Sequence, residues 1–278
     1  MTAAADALVV TQPSVSAAVA ALGRELGCNL FERIGRGIQP TAAGLAFAPY
    51  AADVIGLLDQ GRRAAREAAS VADRRLQIAA VATAAESFVP LLMRAFTQKH
   101  PDVGLTLYVG NREDVLQRVL DHSADVAISG RPPTDDRLIA RPLMDNEVVC
   151  ITDPDDPAVG GAPLSAEQMA ARSWLLREQG SGTRALNEHF LAGLGVAPET
   201  LTLGSNGAIK QAARAGLGIS LLSRAAAQVE LESGLLGELQ VEGTPSPRPW
   251  FVLRSAVGPV RPHVQAFVAF VQDASPSA

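Results

Sequence analysis

The chain has 278 residues, 47% of them hydrophobic and 19% charged, which is typical of a soluble protein with one large domain or two to three small ones. The formal net charge of −5 argues mildly against a nucleic-acid partner, since strong phosphate binders are usually basic. We expect no apolar run of membrane-spanning length and no basic-then-apolar export leader, so the cytoplasm is the predicted location.

The first predicted elements are a short helix and a hairpin. Thr11 is placed to cap the helix, and Pro13 fits its first turn, where a missing amide donor costs nothing. Apolar residues recur along one side at helical spacing, and small or amide-bearing residues occupy the other (Val15, Val19, Leu22 and Leu26; Gln12, Ser16, Ala20 and Gly23). Such a helix suits a DNA major groove, and Arg33 and Arg36 bracket a Gly-rich hairpin that could reach the DNA backbone. By pattern alone, a capped amphipathic surface helix followed by a turn explains this segment equally well.

The residues themselves closely resemble the winged helix-turn-helix of the LysR-type transcriptional regulators. In that family a Ser/Thr-Gln-Pro-x-x-Ser helix leads to Leu-Phe-x-Arg and to a wing ending in Thr-x-x-Gly, and residues 11–16, 30–33 and 41–44 carry these markers. The resemblance covers essentially the whole chain. It implies that residues 1–44 form a DNA-binding domain whose contacts are Gln12, Pro13, Ser14 and Ser16 to bases and Arg33 and Arg36 to phosphate or a minor groove.

The chain departs from the family pattern at its start. LysR-type domains have a complete amphipathic helix before the segment that begins here at residue 2, so we expect the back faces of the remaining helices to be partly uncovered. A start codon assigned too far downstream, which we favour, and a truncated regulator are the two explanations. In residues 1–44 three arginines are matched by Asp6, Glu25 and Glu32, so the motif rather than charge carries the DNA prediction.

A long Ala-rich helix is predicted next, over residues 41–72, with Thr41 as its cap. Its thin apolar stripe includes Leu45 and Ile55, and such a stripe usually packs on another helix rather than on a globular core. The resemblance implies that this is the linker helix through which two subunits pair. Pro49 within it is expected to bend it slightly.

From residue 76 strands alternate with helices, which predicts an α/β fold with a mainly parallel sheet. The predicted strands are 76–81, 105–109, 125–128, 147–151, 174–176, 201–203, 218–222 and 250–253. The resemblance implies a two-lobed, periplasmic-binding-protein-like effector domain over residues 74–276. Lobe I would contain residues 74–146 and 248–276, and lobe II residues 147–247.

Polar residues follow several of these strands, and ligands of open parallel sheets bind at that edge, where helix N-termini point. The candidate effector-binding residues are Thr83, Ser129, Arg131, Ser181, Thr183 and Asn206. Each hydroxyl or amide is explained singly as an N-cap or turn residue, but their convergence on one crevice favours an anion site, to which Arg131 would add a bidentate contact. Within this family, four short segments have amino-acid sequences most similar to those of regulators of carbon-fixation operons; they are residues 82–84, 110–113, 130–133 and 180–184. That similarity implies a phosphorylated or polyanionic metabolite.

Signatures of other chemistry are not found. There is no P-loop, no complete dinucleotide fingerprint and no HExxH, so no cofactor or metal is predicted, and no nucleophile–base pair suggests an enzyme. Cys28 and Cys150 lack metal-ligand spacing and are both predicted to be buried, small apolar residues.

The predicted function is that of a LysR-type DNA-binding regulator, a homodimer or homotetramer that binds promoter DNA and a small anionic effector and is sensed by RNA polymerase. One alternative is a DNA-incompetent, metabolite-binding remnant or dominant-negative partner of intact regulators. The other is a solute-binding protein, against which the wing motif and the missing leader argue.

Overall fold

The computed structural model describes residues 1–35, 37–70, 73–243 and 247–273. The chain divides into two compact units, Met1–Leu58 and Asp59–Ala278. The division falls within one long helix, so each unit is described by itself.

The first unit contains two short helices, a hairpin and the start of the long helix. Its elements are α1 (Thr2–Leu8), α2 (Gln12–Glu25), β1 (Phe31–Ile34), β2 (Gly37–Pro40) and α3 (Ala42–Ala69), of which α3 continues into the second unit. The chain bends by 103° between α1 and α2, an angle typical of a helix-turn-helix. Thr11 caps α2 and Thr41 caps α3, as predicted, by accepting hydrogen bonds from the backbone amides of Ser14 and Gly44. Gly27, at φ 69°, ends α2 in the left-handed conformation that favours glycine.

Two sequence interpretations of this unit need correction. Gly23 was assigned to the small, DNA-facing side of α2, but a Cβ there would lie 2.9 Å from the carbonyl oxygen of Cys28, so this glycine allows the chain to return past the helix. The predicted burial of Cys28 is wrong, because the turn after α2 leaves this residue exposed, whereas Cys150 is buried as predicted. None of the residues of α2 is buried, and Leu8 and Val9 are 67% and 92% exposed.

The helix α3 is long and carries an exposed apolar face. By length and composition it could cross a membrane, as could the bent pair α1–α2 taken as one span, so the expectation of no apolar run of that length is wrong. The cause is the richness of α3 in alanine together with one carboxylate, Asp53, in its first four turns. Tyr50, Val54 and Leu58 are each more than half exposed and recur every four residues, so they lie on one face of the helix.

The second unit consists of two α/β lobes. Its elements in chain order are β3 (Arg75–Val81), α4 (Ala82–Ala85), α5 (Val89–Lys99), β4 (Gly104–Gly110), α6 (Arg112–Leu120), β5 (Val126–Ser129), β6 (Leu138–Asn146), β7 (Val148–Thr152), α7 (Ala166–Ala170), β8 (Trp174–Arg177), α8 (Gly182–Leu194), β9 (Thr200–Leu203), α9 (Asn206–Arg214), β10 (Ser220–Ser223), α10 (Arg224–Glu232), β11 (Gly237–Leu239), β12 (Arg248–Ser255) and α11 (Pro262–Asp273). The first lobe is built on β3 to β6 with β12, and the second on β7 to β11.

The first lobe has a five-stranded sheet in the order β4-β3-β5-β12-β6. β3 runs parallel to β4 and β5, whereas β12 is antiparallel to both β5 and β6. The core under this sheet includes Leu76, Ile78, Phe96 and Phe267, all with less than 2% exposure. The expectation of a mainly parallel sheet holds in this lobe, because β3, β4, β5 and β6 run in one direction. Only β12 runs against them, since the chain re-enters this lobe from the second one.

The second lobe has a three-stranded antiparallel sheet, β10-β7-β11, and the parallel pair β8-β9. Trp174 and Met169 fill its core, and the indole of Trp174 donates a hydrogen bond to the Met169 carbonyl at 3.0 Å. The strands β6 and β11 and the helices α7 and α10 were not predicted from the sequence. The segment between β3 and α5 contains the four-residue helix α4.

Candidate functional site

A cavity of about 320 Å³ lies between the two lobes of the second unit. Small-molecule sites usually begin at about this size. Both lobes contribute to its wall, and five of the six predicted effector residues are among those that line it (Thr83, Ser129, Arg131, Ser181 and Thr183). The common reason is that each lies at or shortly after the carboxyl end of a buried strand, and these ends face the cavity.

Two of these residues leave hydrogen-bonding groups unpaired at the cavity wall. Ser129 is the last residue of β5, is completely buried, and its hydroxyl has no hydrogen-bond partner among the described residues. Ser181 precedes α8, but its side chain does not cap that helix, so the first backbone amides of α8 are not satisfied by it. Because buried polar groups normally find partners, the wall is suited to a ligand that accepts hydrogen bonds.

Thr83 and Thr183 are not helix caps. A role as an N-cap was the alternative explanation that the sequence allowed for such residues. Val81 is the N-cap of α4 and Ser181 that of α8, so Thr83 and Thr183 lie inside the first turns of these helices. Their hydroxyl oxygens are 3.5 Å apart across the cleft. Both side chains are therefore available to a ligand.

Asn206, the sixth predicted residue, lies behind the wall rather than on it. Ser205 caps α9 by accepting from the amide of Ala208 at 3.1 Å, and Asn206 is the first residue of the helix. Its side chain is buried and donates a hydrogen bond to the Thr83 hydroxyl at 3.1 Å. It therefore contacts a residue of the cavity wall from the side opposite to the ligand.

The wall of the cavity is rich in arginine. Four of the described residues that line it are arginines, none is Asp or Glu, and the arginines are Arg112, Arg131, Arg177 and Arg248. Arg112 donates to the backbone carbonyl of Arg131 at 2.8 Å and so holds the loop after β5. Such a wall favours an anionic ligand over a neutral or cationic one.

Arg177 is 4% exposed and pairs with its neighbour Glu178 through two hydrogen bonds, at 2.7 and 2.8 Å. Burial by itself would raise the pKa of Glu178, but hydrogen bonds from Arg177 and from the backbone lower that pKa below its usual range. Sequence reasoning missed Arg177, although it ends the buried strand β8 as Ser129 ends β5. It also missed Arg112, which follows the carboxyl end of β4 as Thr83 follows that of β3, and Arg248, which begins β12.

The two lobes approach each other closely beside the cavity. Gly180, at φ 81°, lies in the loop before α8, and a Cβ there would be 3.0 Å from a carboxylate oxygen of Glu113 and 3.1 Å from the amide nitrogen of Asn111. A larger residue would strain this backbone conformation and would require both side-chain ends to shift. Asn111 is the N-cap of α6 and forms a capping box with Asp114.

In the first unit the predicted DNA-contacting residues lie on the surface. The Gln12 amide donates to the Ser16 hydroxyl at 2.7 Å, the Ser14 hydroxyl is 2.8 Å from that of Thr11, and Pro13 lies in the exposed first turn. Arg33 is exposed on β1 of the hairpin, opposite Ile38. Arg36 lies outside the described residues.

A helix-turn-helix unit and a two-lobed ligand-binding unit define a DNA-binding regulator with its own sensor. The family model described as bacterial regulatory helix-turn-helix protein, lysR family, matches residues 1–45, and the LysR substrate binding domain matches residues 69–276. The chain belongs to the LysR family of transcriptional regulators.

Two relatives and one solved structure show which members of the family this chain is similar to. The chain is 36% identical over 271 residues to the RuBisCO operon transcriptional regulator of Allochromatium vinosum, covering 97% of this chain and 89% of that protein. It is 36% identical over 270 residues to the HTH-type transcriptional regulator CbbR of Sinorhizobium medicae (strain WSM419), covering 96% and 86%. The Synechocystis PCC6803 CcmR regulatory domain in complex with 2-PG is 32% identical, with a TM-score of 0.68, and the match covers 72% of this chain and 96% of that one.

Proposed function

We propose that this chain controls a promoter in response to a small anionic metabolite that binds in the cavity between the lobes. The observation that carries the proposal is the cavity wall, whose described residues include four arginines and neither Asp nor Glu, together with the Ser129 hydroxyl, which has no partner among the described residues. Thr83, Ser129, Arg131, Ser181 and Thr183 would contact the ligand, and Asn206 would support Thr83. The similarity to RuBisCO operon regulators and to a regulatory domain that holds 2-PG favours a phosphorylated metabolite.

The effector assignment is tested by calorimetric titration of 2-PG into the wild-type chain and three variants. Arg131→Ala and Thr83→Val each remove one charged hydrogen bond, so we expect the Kd to rise about tenfold or more. Arg141→Ala is the matched control, because Arg141 is an exposed arginine of the same lobe outside the cavity wall. If all three variants bind as the wild type does, the cavity is not the effector site.

Residues 1–44 are proposed as the DNA-binding domain, with Gln12, Pro13, Ser14 and Ser16 at the bases and Arg33 and Arg36 at the backbone. Fluorescence anisotropy on DNA flanking the gene, at two salt concentrations, tests this. Arg33→Ala should weaken all sequences and reduce the salt slope by about one, whereas Gln12→Ala should cost about 1–3 kcal/mol on the specific site only. Arg94→Ala, an exposed arginine in the second unit, is the control and should change neither.

Residues 41–72 are proposed as the dimerisation helix and residues 74–276 as the effector domain, in a cytoplasmic homodimer or homotetramer. The exposed face of α3 supports pairing with a second copy, because Tyr50, Val54 and Leu58 otherwise remain in water. Val54→Glu should therefore lower the oligomeric mass measured by light scattering. Asp53→Glu is the matched control, because it keeps the negative charge of Asp53, and it should leave that mass unchanged. Effector binding would alter the bend of promoter DNA, which RNA polymerase would sense.

A further inference from the structure

The four arginines of the cavity wall differ in what already binds them. Arg177 pairs with Glu178, so a carboxylate balances its charge. Arg112 donates to the backbone carbonyl of Arg131. The side chains of Arg131 and Arg248 are exposed and have no hydrogen-bond or ionic partner among the described residues. These two arginines therefore keep both their charge and their donors for a ligand.

Arg131 and Arg248 lie toward the same end of two neighbouring strands. Ser129 of β5 is opposite Phe251 of β12, and the two strands are antiparallel. Arg131 follows Ser129 in the chain, whereas Arg248 precedes Phe251. Because the strands run in opposite directions, both arginines are displaced from this pair of residues in the same direction. We refer to Arg131 and Arg248 as the arginine pair.

The arginine pair lies at one end of the cavity between the lobes. Both arginines, together with Leu186 of α8, also line a second cavity, which continues along α8 past Phe190 to Leu194. Leu186 is four residues from the first residue of α8, which is about 6 Å along the helix axis. The boundary between the two cavities is therefore about one helical turn from the start of α8.

The other end of the cavity between the lobes presents neutral donors. The backbone amides of residues 182–184, at the start of α8, have no acceptor among the described residues, and the completely buried Ser129 hydroxyl has none either. Ser129 and Thr183 line the first cavity and are not among the described residues that line the second. A helix start with unpaired amides suits a phosphate, whereas two guanidinium groups suit a carboxylate.

We propose that the cavity has two separate anion subsites and takes a ligand with two anionic groups, a phosphate at the start of α8 and a carboxylate at the arginine pair. This inference rests on the proposed effector site. Arg248, which the sequence did not indicate, thereby becomes a specificity-determining residue. A compound with a phosphate alone leaves the arginine pair without an acceptor and binds more weakly.

The test compares two probes by calorimetric titration near neutral pH. In 2-phosphoglycolate a phosphate and a carboxylate are joined through one methylene group, and in ethyl phosphate a methyl group replaces the carboxylate. We expect the wild-type chain to bind 2-phosphoglycolate about tenfold more tightly or better. Arg248→Gln should weaken 2-phosphoglycolate about tenfold. It should weaken ethyl phosphate by at most about threefold, because a charge about 6 Å away acts on it only through water.

Three further variants serve as comparisons. Arg131→Gln removes the other member of the arginine pair and should give the same pattern as Arg248→Gln. Ser129→Ala removes a donor of the phosphate subsite, so it should weaken both probes by the same factor. Arg141→Gln is the matched control, because it removes the same charge from an exposed position on β6 outside the cavity wall, and it should change neither affinity. Thermal unfolding checks that the variants fold.

Equal loss of both probes in Arg248→Gln would overturn the inference, because the arginine pair and the start of α8 would then hold the same group. Unchanged binding of both probes in that variant would overturn it as well. So would equal affinity of the wild-type chain for the two probes. Binding of neither probe by the wild-type chain would instead overturn the anionic site of the proposed function.

Discussion

Arg261 joins the end of α3 to the first lobe through a buried set of charges. Its guanidinium pairs with Glu67 of α3 and with Asp125, which precedes β5. The side chains of Arg261, Glu67 and Asp125 are only 9%, 10% and 2% exposed. Asp125 also accepts a hydrogen bond from the backbone amide of Gln77 at 2.8 Å. The predicted perturbation is Arg261→Leu, which leaves both carboxylates without their shared cation.

Breaking a buried ion pair by removing one partner costs about 3–5 kcal/mol, because the remaining charge is left in a poorly solvated place. For a domain of roughly 150–250 residues each kcal/mol lowers the Tm by about 2–4 °C, so Arg261→Leu should lower it by about 6–20 °C. The assay is thermal unfolding at neutral pH, followed by calorimetry.

Arg62→Leu is the matched control, since Arg62 pairs with Asp59 on the same helix. The side chains of that pair are 66% and 52% exposed, and an exposed helix pair contributes at most about 0.5 kcal/mol. If Arg261→Leu lowers the Tm no more than Arg62→Leu does, the buried charges do not stabilise the junction and the reasoning fails.

Three further predictions concern the cleft, an acidic group and the thiols. Gly180→Ala and Gly195→Ala both force an alanine into positive φ, so each should lower the free energy of unfolding by about 1 kcal/mol. Only Gly180→Ala should weaken sulfate binding, because a Cβ at residue 195 would have no described atom within contact distance. A hydrogen bond from Arg172 lowers the pKa of Asp156 from 3.8 to about 2. Asp156→Asn should therefore lower the Tm by its full amount above about pH 4, and this difference from the wild type should shrink as the pH falls toward 2. A difference in Tm that does not depend on pH would contradict this. Burial raises the pKa of Cys150 to about 12, so a thiol reagent at mildly alkaline pH should label the exposed Cys28 and leave Cys150 unmodified until the chain unfolds, as mass spectrometry would show.

Local chemistry explains which parts of this fold could be predicted. The caps at Thr11 and Thr41 could be predicted because an N-cap depends on residues three positions apart. The strand predicted at 76–81 is observed at Arg75–Val81, since a run of buried apolar residues bounded by polar ones is a local signal. The strand-end rule likewise selected five residues of the cavity wall before any contact was known.

The amino-acid sequence by itself thus determined the family, the order of most helices and strands, and the loops that bear the site. The tertiary structure decided what depends on partners distant in the chain. Residue 206 meets residue 83 only because two lobes face each other, and β12 becomes antiparallel only because the chain returns from the second lobe. Cys28 and Cys150 are chemically identical in the sequence, and only the packing around them leaves one thiol in water and the other in a core. Burial, charge pairing and the orientation of an amide are properties of surroundings assembled from remote segments, so no local pattern could specify them.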